Sequence, residues 1–227
     1  MIVVAKRIVV AVLALGTQVF GTLAGTAGAA DLPSYKPPSR GAPAGRVGMG
    51  TRGIVRPPQI WALAPEHIGL TTREQPSLYW YSTKSMSARI ELVAINNRDT
   101  KTILEESVGS SASPGIQRID LARYGIRLRP GIEYRWSLSS ETDPKQRSNN
   151  GWIRRVDPGS GLAKRIEATP VTGHAAIYAE EGIWYDAIAT ASELIEQSPG
   201  DIALRTQRAA LLEQVGLKEA AADDARR

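Results

Sequence analysis

The chain has 227 residues, no cysteine, two histidines and a formal net charge of +5. A hydrophobic core rather than disulfides must hold it, and a chain of this size can bury about 70% of its unfolded surface without cross-links. The missing cysteines exclude thiolate metal centres and a lipoprotein anchor, and so mild a positive excess makes no case for nucleic acid.

Lys6 and Arg7 precede an apolar run over residues 8–15, and a small-residue stretch ends in Thr26-Ala27-Gly28-Ala29-Ala30-Asp31. Basic start, apolar middle and A-x-A exit are the three parts of a secretory signal peptide. Residues 1–30 are therefore read as a signal peptide cleaved after Ala29 or Ala30. Its loss removes two positive charges, leaving +3. The apolar run is shorter than the roughly 20 residues of a permanent span, and no later segment is long and apolar enough to be one. The expected destination is the periplasm or the cell exterior.

Residues 31–58 form a Pro/Gly-rich basic arm with Lys36, Arg40, Arg46, Arg52 and Arg56 and no acid between Asp31 and Glu66. Such a composition packs no core of its own and reads as extended chain. Gly48-Met49-Gly50-Thr51-Arg52-Gly53 has the letters G-x-G-x-x-G. A dinucleotide site needs a strand before them and a helix after. Coil precedes here and Pro57-Pro58 soon follows, so no nucleotide site is assigned.

Residues 59–158 carry strand candidates at 60–64, 78–82, 89–95, 102–107, 116–121, 132–138 and 152–156. Turn signals separate them: Asn96-Asn97-Arg98-Asp99, Ser113-Pro114-Gly115, Pro130-Gly131 and Asn149-Asn150-Gly151. The clearest strand is the sixth. Ile132, Tyr134, Trp136 and Leu138 share one face, and Glu133, Arg135 and Ser137 the other. Leu128-Arg129-Pro130-Gly131 ahead of Tyr134 resembles a tyrosine corner, in which the hydroxyl bonds back to the corner's backbone. Seven short strands predict an antiparallel β-sandwich of immunoglobulin or fibronectin-III-like type. Thr71-x-x-Glu74 is read as a turn, since Pro76 leaves no room for a helix.

After Pro158-Gly159 the period changes. Residues 162–168, 174–181, 185–197 and 202–215 read as helices, with a further one after Gly216. Gly182 and Gly216 lie 34 positions apart, as do Ala187 and Ala221, and Ala175 and Ala209. Residues 159–227 thus look like one and a half tetratricopeptide repeats. About three repeats make a free-standing stack, so these helices must lean on something. Ile177, Tyr178, Trp184, Ile188 and Ala191 are expected to dock them on the sandwich, in preference to an open groove for a partner.

Short blocks run through almost the whole chain after residue 30: Arg40-Gly41-Ala42-Pro43, Thr51-Arg52-Gly53, Leu63-Ala64-Pro65, Gly69-Leu70-Thr71-Thr72-x-Glu74-x-Pro76, Tyr79-Trp80-Tyr81, Pro114-Gly115-Ile116, Gly131-x-x-Tyr134-Arg135-Trp136, Gly151-Trp152-Ile153-x-Arg155-Val156 and, most specific, Tyr178-Ala179-Glu180-x-Gly182-Ile183-Trp184-Tyr185-Asp186-Ala187. In these the chain resembles the bacterial domain-of-unknown-function family 928, whose members are mostly exported. The resemblance implies export and module boundaries. It brings no activity, ligand or catalytic residue.

No catalytic constellation stands out. His67 and His174 fall in different modules, neither with a partner at metal-ligand spacing. There is no Gly-x-Ser-x-Gly elbow. Glu105-Glu106 and Glu180-Glu181 are neighbours in sequence, not carboxylates facing across a cleft. Asn96-Asn97-Arg98-Asp99 lacks a calcium-loop pattern. No cofactor and no metal are expected. Tyr79 and Tyr81 point away from Leu78 and Trp80. They could form a sugar- or peptide-binding platform, or be covered by the helices, which is preferred. Trp184 and Tyr185 open a helix. These four aromatics are the candidate partner-binding residues. The expectation is a non-catalytic exported interaction or adaptor module whose partner is another envelope protein. The alternatives are a carbohydrate-binding sandwich and an envelope hydrolase using His67 or His174.

Overall fold

The computed structural model describes residues 32–38, 60–96, 99–108, 113–143, 145 and 147–227. Residues 1–30, read as a signal peptide, the G-x-G-x-x-G letters and all of residues 31–58 except 32–38 lie outside the described residues, as do Asn97 and Arg98 of one expected turn. The strands are β1 (Ile60–Ala62), β2 (Gly69–Thr71), β3 (Ser77–Ser82), β4 (Ala88–Asn96), β5 (Asp99–Val108), β6 (Gly115–Asp120), β7 (Glu133–Ser140) and β8 (Gly151–Arg155). The helices follow: α1 (Ser160–Glu167), α2 (His174–Glu180), α3 (Trp184–Gln197), α4 (Ile202–Gln214) and α5 (Lys218–Asp224). The order is thus β first, then α.

The strands form two sheets. The smaller is antiparallel, in the order β1-β3-β6. The larger has the order β2-β8-β7-β4-β5 and is antiparallel except where β2 runs parallel to β8. All seven expected strands are present. The eighth, β2, is unexpected, and it ends at Thr71, the first residue of the stretch read as a turn. Its three residues, Gly-Leu-Thr, are too few to show a period, and pairing with β8 is what makes them a strand.

Strand β7 keeps its period of two at its start: Tyr134, Trp136 and Leu138 are buried and Glu133 and Arg135 half-buried, whereas Ser137, expected on the wet face, is buried as well. The Tyr134 hydroxyl accepts a 2.9 Å hydrogen bond from the Arg129 N–H across the Pro130-Gly131 corner. Gly131 sits there at φ +76°, a left-handed conformation that a side chain would strain. On β4, Ala88, Ile90 and Leu92 are fully buried. The β4–β5 register then slips after Leu92, with Leu92 opposite Leu104 but Val93 opposite Thr102. Ile103 is the extra residue, a bulge of the kind that bends a strand and increases its twist.

The 34-residue glycine spacing has a local cause. Gly182 between α2 and α3 and Gly216 between α4 and α5 both adopt positive φ, +73° and +77°. Each lets a helix end and the next begin within three residues, so α2–α3 and α4–α5 are tight pairs. Asp201 opens α4, its carboxylate accepting from the N–H groups of Ala203 and Leu204.

One hydrophobic core runs through both sheets and the helices. It joins Trp80, Trp136, Leu92 and Ile153 to Trp184, Tyr185, Ile188, Leu211 and Leu212. Asp31–Arg227 is accordingly one compact unit. Of the residues expected to dock the helices, Trp184 and Ile188 enter this core and Ala191 is buried. Ile177 does something else. It packs with Leu162 of α1 and Ile183 in a satellite cluster, and half-buried Tyr178 touches both clusters. The face of α2 that carries Ile177 meets α1, a helix whose role the pattern alone did not indicate. No helix among the described residues is long and apolar enough to cross a membrane.

Candidate functional site

Helix α3 begins with the two aromatics that join the helices to the strands. Trp184 is wholly buried and its indole N–H donates to the Leu63 carbonyl at 3.0 Å. Tyr185 lies over Gly69, where an added Cβ would meet the ring at 2.7 Å. Its hydroxyl accepts from the Trp136 indole N–H at 2.9 Å and donates to the Trp152 carbonyl at 3.0 Å. Burial drives the Tyr185 pKa well up, so the hydroxyl stays a donor. One residue on, Asp186 is fully buried. Its carboxylate accepts from the Thr71 hydroxyl, the Thr72 hydroxyl and the Thr72 N–H. Burial raises its pKa and these bonds oppose the rise. They also tie β2 to α3.

The described piece of the arm is folded against the body. Tyr35 stacks on His67, its hydroxyl 2.7 Å from Nε2, and meets Trp184 edge-on. Its N–H donates to Gln214, which in turn donates to the Pro33 carbonyl. The Lys36 N–H donates to the Ala179 carbonyl. His67 is half-buried, and burial lowers its pKa against the pull of Glu66. His174 bonds to the Thr169 carbonyl at 2.8 Å. The two histidines are therefore used locally and are not brought together. Glu105 and Glu106 are exposed, and Glu180 and Glu181 both pair with Arg165.

Tyr79 and Tyr81 do not form an exposed platform. They are 2% and 4% exposed, beneath the helices. Tyr81 packs against Trp61, near the charges of Glu219, Asp223, Arg226 and Arg227. Tyr79 forms part of the wall of a pocket of about 260 Å³ between β6 and the helices α3, α4 and α5. The inner part of that pocket is a buried charge pair. Arg208 donates two hydrogen bonds to Asp224, at 2.7 and 2.6 Å, and a third to the Ser192 hydroxyl at 2.9 Å. Arg205 reaches the same carboxylate at 3.3 Å and also bonds the Pro199 carbonyl. At the rim Arg118 pairs with Glu196 at 3.1 Å and Arg227 with Asp223 at 2.8 Å. Four arginines face three carboxylates, so the pocket carries a positive excess.

The family model described as Domain of Unknown Function (DUF928) matches residues 47–225. The chain belongs to that family. The match spans both sheets, all five helices and every lining residue of the pocket except Arg227, so the family's common part is the joined unit. A comparison with curated proteins finds no match.

The sequence reading missed Tyr35, Arg118, Arg208 and Asp224. Two of them left a signal. Arg208 sits in the buried stripe Leu204, Arg208, Leu211, Leu212 of α4, and Asp224 in the stripe Ala220, Ala221, Asp224 of α5. Opposite charges on two facing apolar stripes announce a buried pair, because neither is tolerated alone. Tyr35 gave no signal, since a Pro/Gly-rich segment reads as solvated whether or not it docks.

Proposed function

We propose that this protein is a non-catalytic exported module that binds another protein of the bacterial envelope. In this reading the two sheets are an immunoglobulin or fibronectin-III-like sandwich, and the helices are tetratricopeptide-like units folded onto it. One observation carries the reading: the side chains that a hydrolase would need are fasteners. His67 holds Tyr35 of the arm, His174 holds a backbone carbonyl, and Asp186 holds Thr71 and Thr72. A group engaged in this way adds rigidity, and a rigid scaffold favours recognition because little ordering entropy remains to be lost on binding.

The test is capture of the tagged protein from its native envelope after mild crosslinking. A defined partner enriched over an unrelated exported control supports the proposal, and recovery of the protein alone overturns it. The hydrolase alternative makes a different claim. It requires a turnover that His67→Ala or His174→Ala abolishes while the melting temperature stays unchanged.

A further inference from the structure

Residues 32–38 sit on the body as a peptide sits in a groove. Pro33 and Tyr35 are buried, whereas Leu32, Ser34 and Lys36 are exposed. Gln214 clamps the backbone twice, accepting from the Tyr35 N–H and donating to the Pro33 carbonyl, both at 2.8 Å. The Lys36 N–H donates to the Ala179 carbonyl, near the end of α2, at 3.0 Å. Main-chain bonds of this kind hold any extended segment, and the pockets for its buried side chains select among segments. Here the selecting pocket takes Tyr35, stacked on His67 and edge-on to Trp184. Burial pushes the Tyr35 pKa up and the His67 pKa down, so an uncharged hydroxyl meets an uncharged imidazole.

The groove is separable from its occupant. Residues 32–38 belong to no strand or helix, and residues 39–59 separate them from β1, so their departure unpairs no strand. The Ala179 carbonyl also accepts from the Gly182 N–H at 3.0 Å, and the Gln214 amide also donates to the Ala210 carbonyl at 2.9 Å. Each therefore keeps a partner when the segment leaves. The floor is shaped for a backbone, since a Cβ on Gly182 would meet the Lys36 carbonyl oxygen at 2.7 Å and the Pro38 ring at 3.3 Å. The family match begins at residue 47, so it contains His67, Ala179, Gly182, Trp184 and Gln214 but not the segment they hold.

We infer that this groove, between the β1–β2 loop and helices α2, α3 and α4, is a peptide-recognition site. It binds an extended, proline-flanked tyrosine segment of another exported protein, and residues 32–38 fill it in cis until such a segment displaces them. The inference rests on the adaptor reading and names its surface. Leu32, Lys36 and Pro37 each precede a proline, which restricts them to extended backbone. A segment of that composition loses little freedom on docking. The tethered occupant competes at a high effective concentration, so a partner must bind tightly or arrive where the segment is already loosened.

Isothermal titration of the full chain with a synthetic peptide of residues 32–38 tests it. Tyr35→Ala empties the selecting pocket and leaves its walls intact. Lys36→Pro loosens the segment by a second route, removing the N–H given to Ala179 and keeping the Tyr35 ring. One-site binding of the peptide to at least one of these variants is expected, about tenfold or more tighter than to the parent, whose own segment competes. Adding Gln214→Ala to that variant should weaken binding by about tenfold, the value of two neutral hydrogen bonds. The same peptide with alanine at its tyrosine position should not bind. Absence of binding to both variants overturns the inference, as does equal binding to the parent, equal binding of the alanine peptide, or no effect of Gln214→Ala. A dimer of the parent in sedimentation that Tyr35→Ala dissolves also overturns it, because the occupant would be a second copy of this chain. A partner captured from the envelope equally by the parent and by a Tyr35→Ala, Gln214→Ala double variant removes the groove and keeps the adaptor reading. Peptide binding with no partner captured removes the adaptor reading while the groove stands.

Discussion

Trp184→Ala is the sharpest test of whether strands and helices share one core. The ring is wholly buried, lies in the common hydrophobic cluster and is bonded through its indole N–H to the Leu63 carbonyl. Truncating a buried Trp costs about 3–5 kcal/mol from lost burial and the cavity left behind. The carbonyl it abandons keeps no partner unless water enters the cavity, which places the cost toward the upper end. Tyr35 loses its edge-on neighbour too, so the arm is loosened from the body. For a chain of this size 1 kcal/mol moves the melting temperature by about 2–4 °C, so a fall of roughly 6–20 °C is expected. Melting followed by helical circular dichroism and by tryptophan fluorescence should give one coincident transition in both proteins, lower in the variant. Two separated transitions, or a Trp184→Ala protein melting within about 2 °C of the parent, would refute a shared core.

Tyr185→Phe keeps the ring but leaves the buried Trp136 indole N–H without an acceptor, a loss of about 1–3 kcal/mol read by urea denaturation. An unchanged midpoint would mean that water replaces the hydroxyl. Gly151→Ala puts a Cβ 2.3 Å from the Trp136 indole nitrogen, and overpacking of that kind costs about 1–3 kcal/mol. A neutral result there would show that the Trp136 ring can shift. For His67 the shift is downward, so the folded protein resists a proton that the unfolded chain accepts near its ordinary value of 6.5. The stability from this group is therefore present above 6.5 and is lost as pH falls through 6.5 toward the lowered folded value. Melting temperatures across about pH 5.5 to 7.5 should show that slope in the parent and a flatter one in His67→Gln; identical slopes would contradict the assignment.

The strands were legible because most of them carry a period of two between glycine and proline signals, as the Tyr134, Trp136, Leu138 face does. The helices were legible from their apolar stripes and from the paired glycines. What the sequence hid lies where those periods stop. Strand β2 is a strand only because β8 lies beside it. Every residue of β3 is buried, since helices cover the side that alternation marks as outward. Cover by the helices is the preferred reading of Tyr79 and Tyr81, and both are buried. That Tyr79 lies in a pocket wall is set by what docks over it, and alternation carries no trace of that. Arg118 and Arg227 gave no signal, as their significance depends on β6 meeting the chain after α5.

The polar bonds at the seam between strands and helices also constrain how the protein can work. Apolar docking fixes the area of contact but sets register weakly, because Leu against Ile tolerates sliding. Asp186 on Thr71 and Thr72, the Trp184 indole on Leu63, and Tyr185 between Trp136 and Trp152 are each directional and each buried. Sliding α3 by one turn would strand all of them at once, and a buried carboxylate without donors is the most costly of the set. The helices are thereby locked in one position over the small sheet. The pocket between β6 and α3, α4 and α5 takes its shape from that lock, since its walls belong to both parts. A ligand or partner at this seam meets preformed walls, and weakening the Asp186 clamp should loosen the pocket from a distance without altering a residue in its lining.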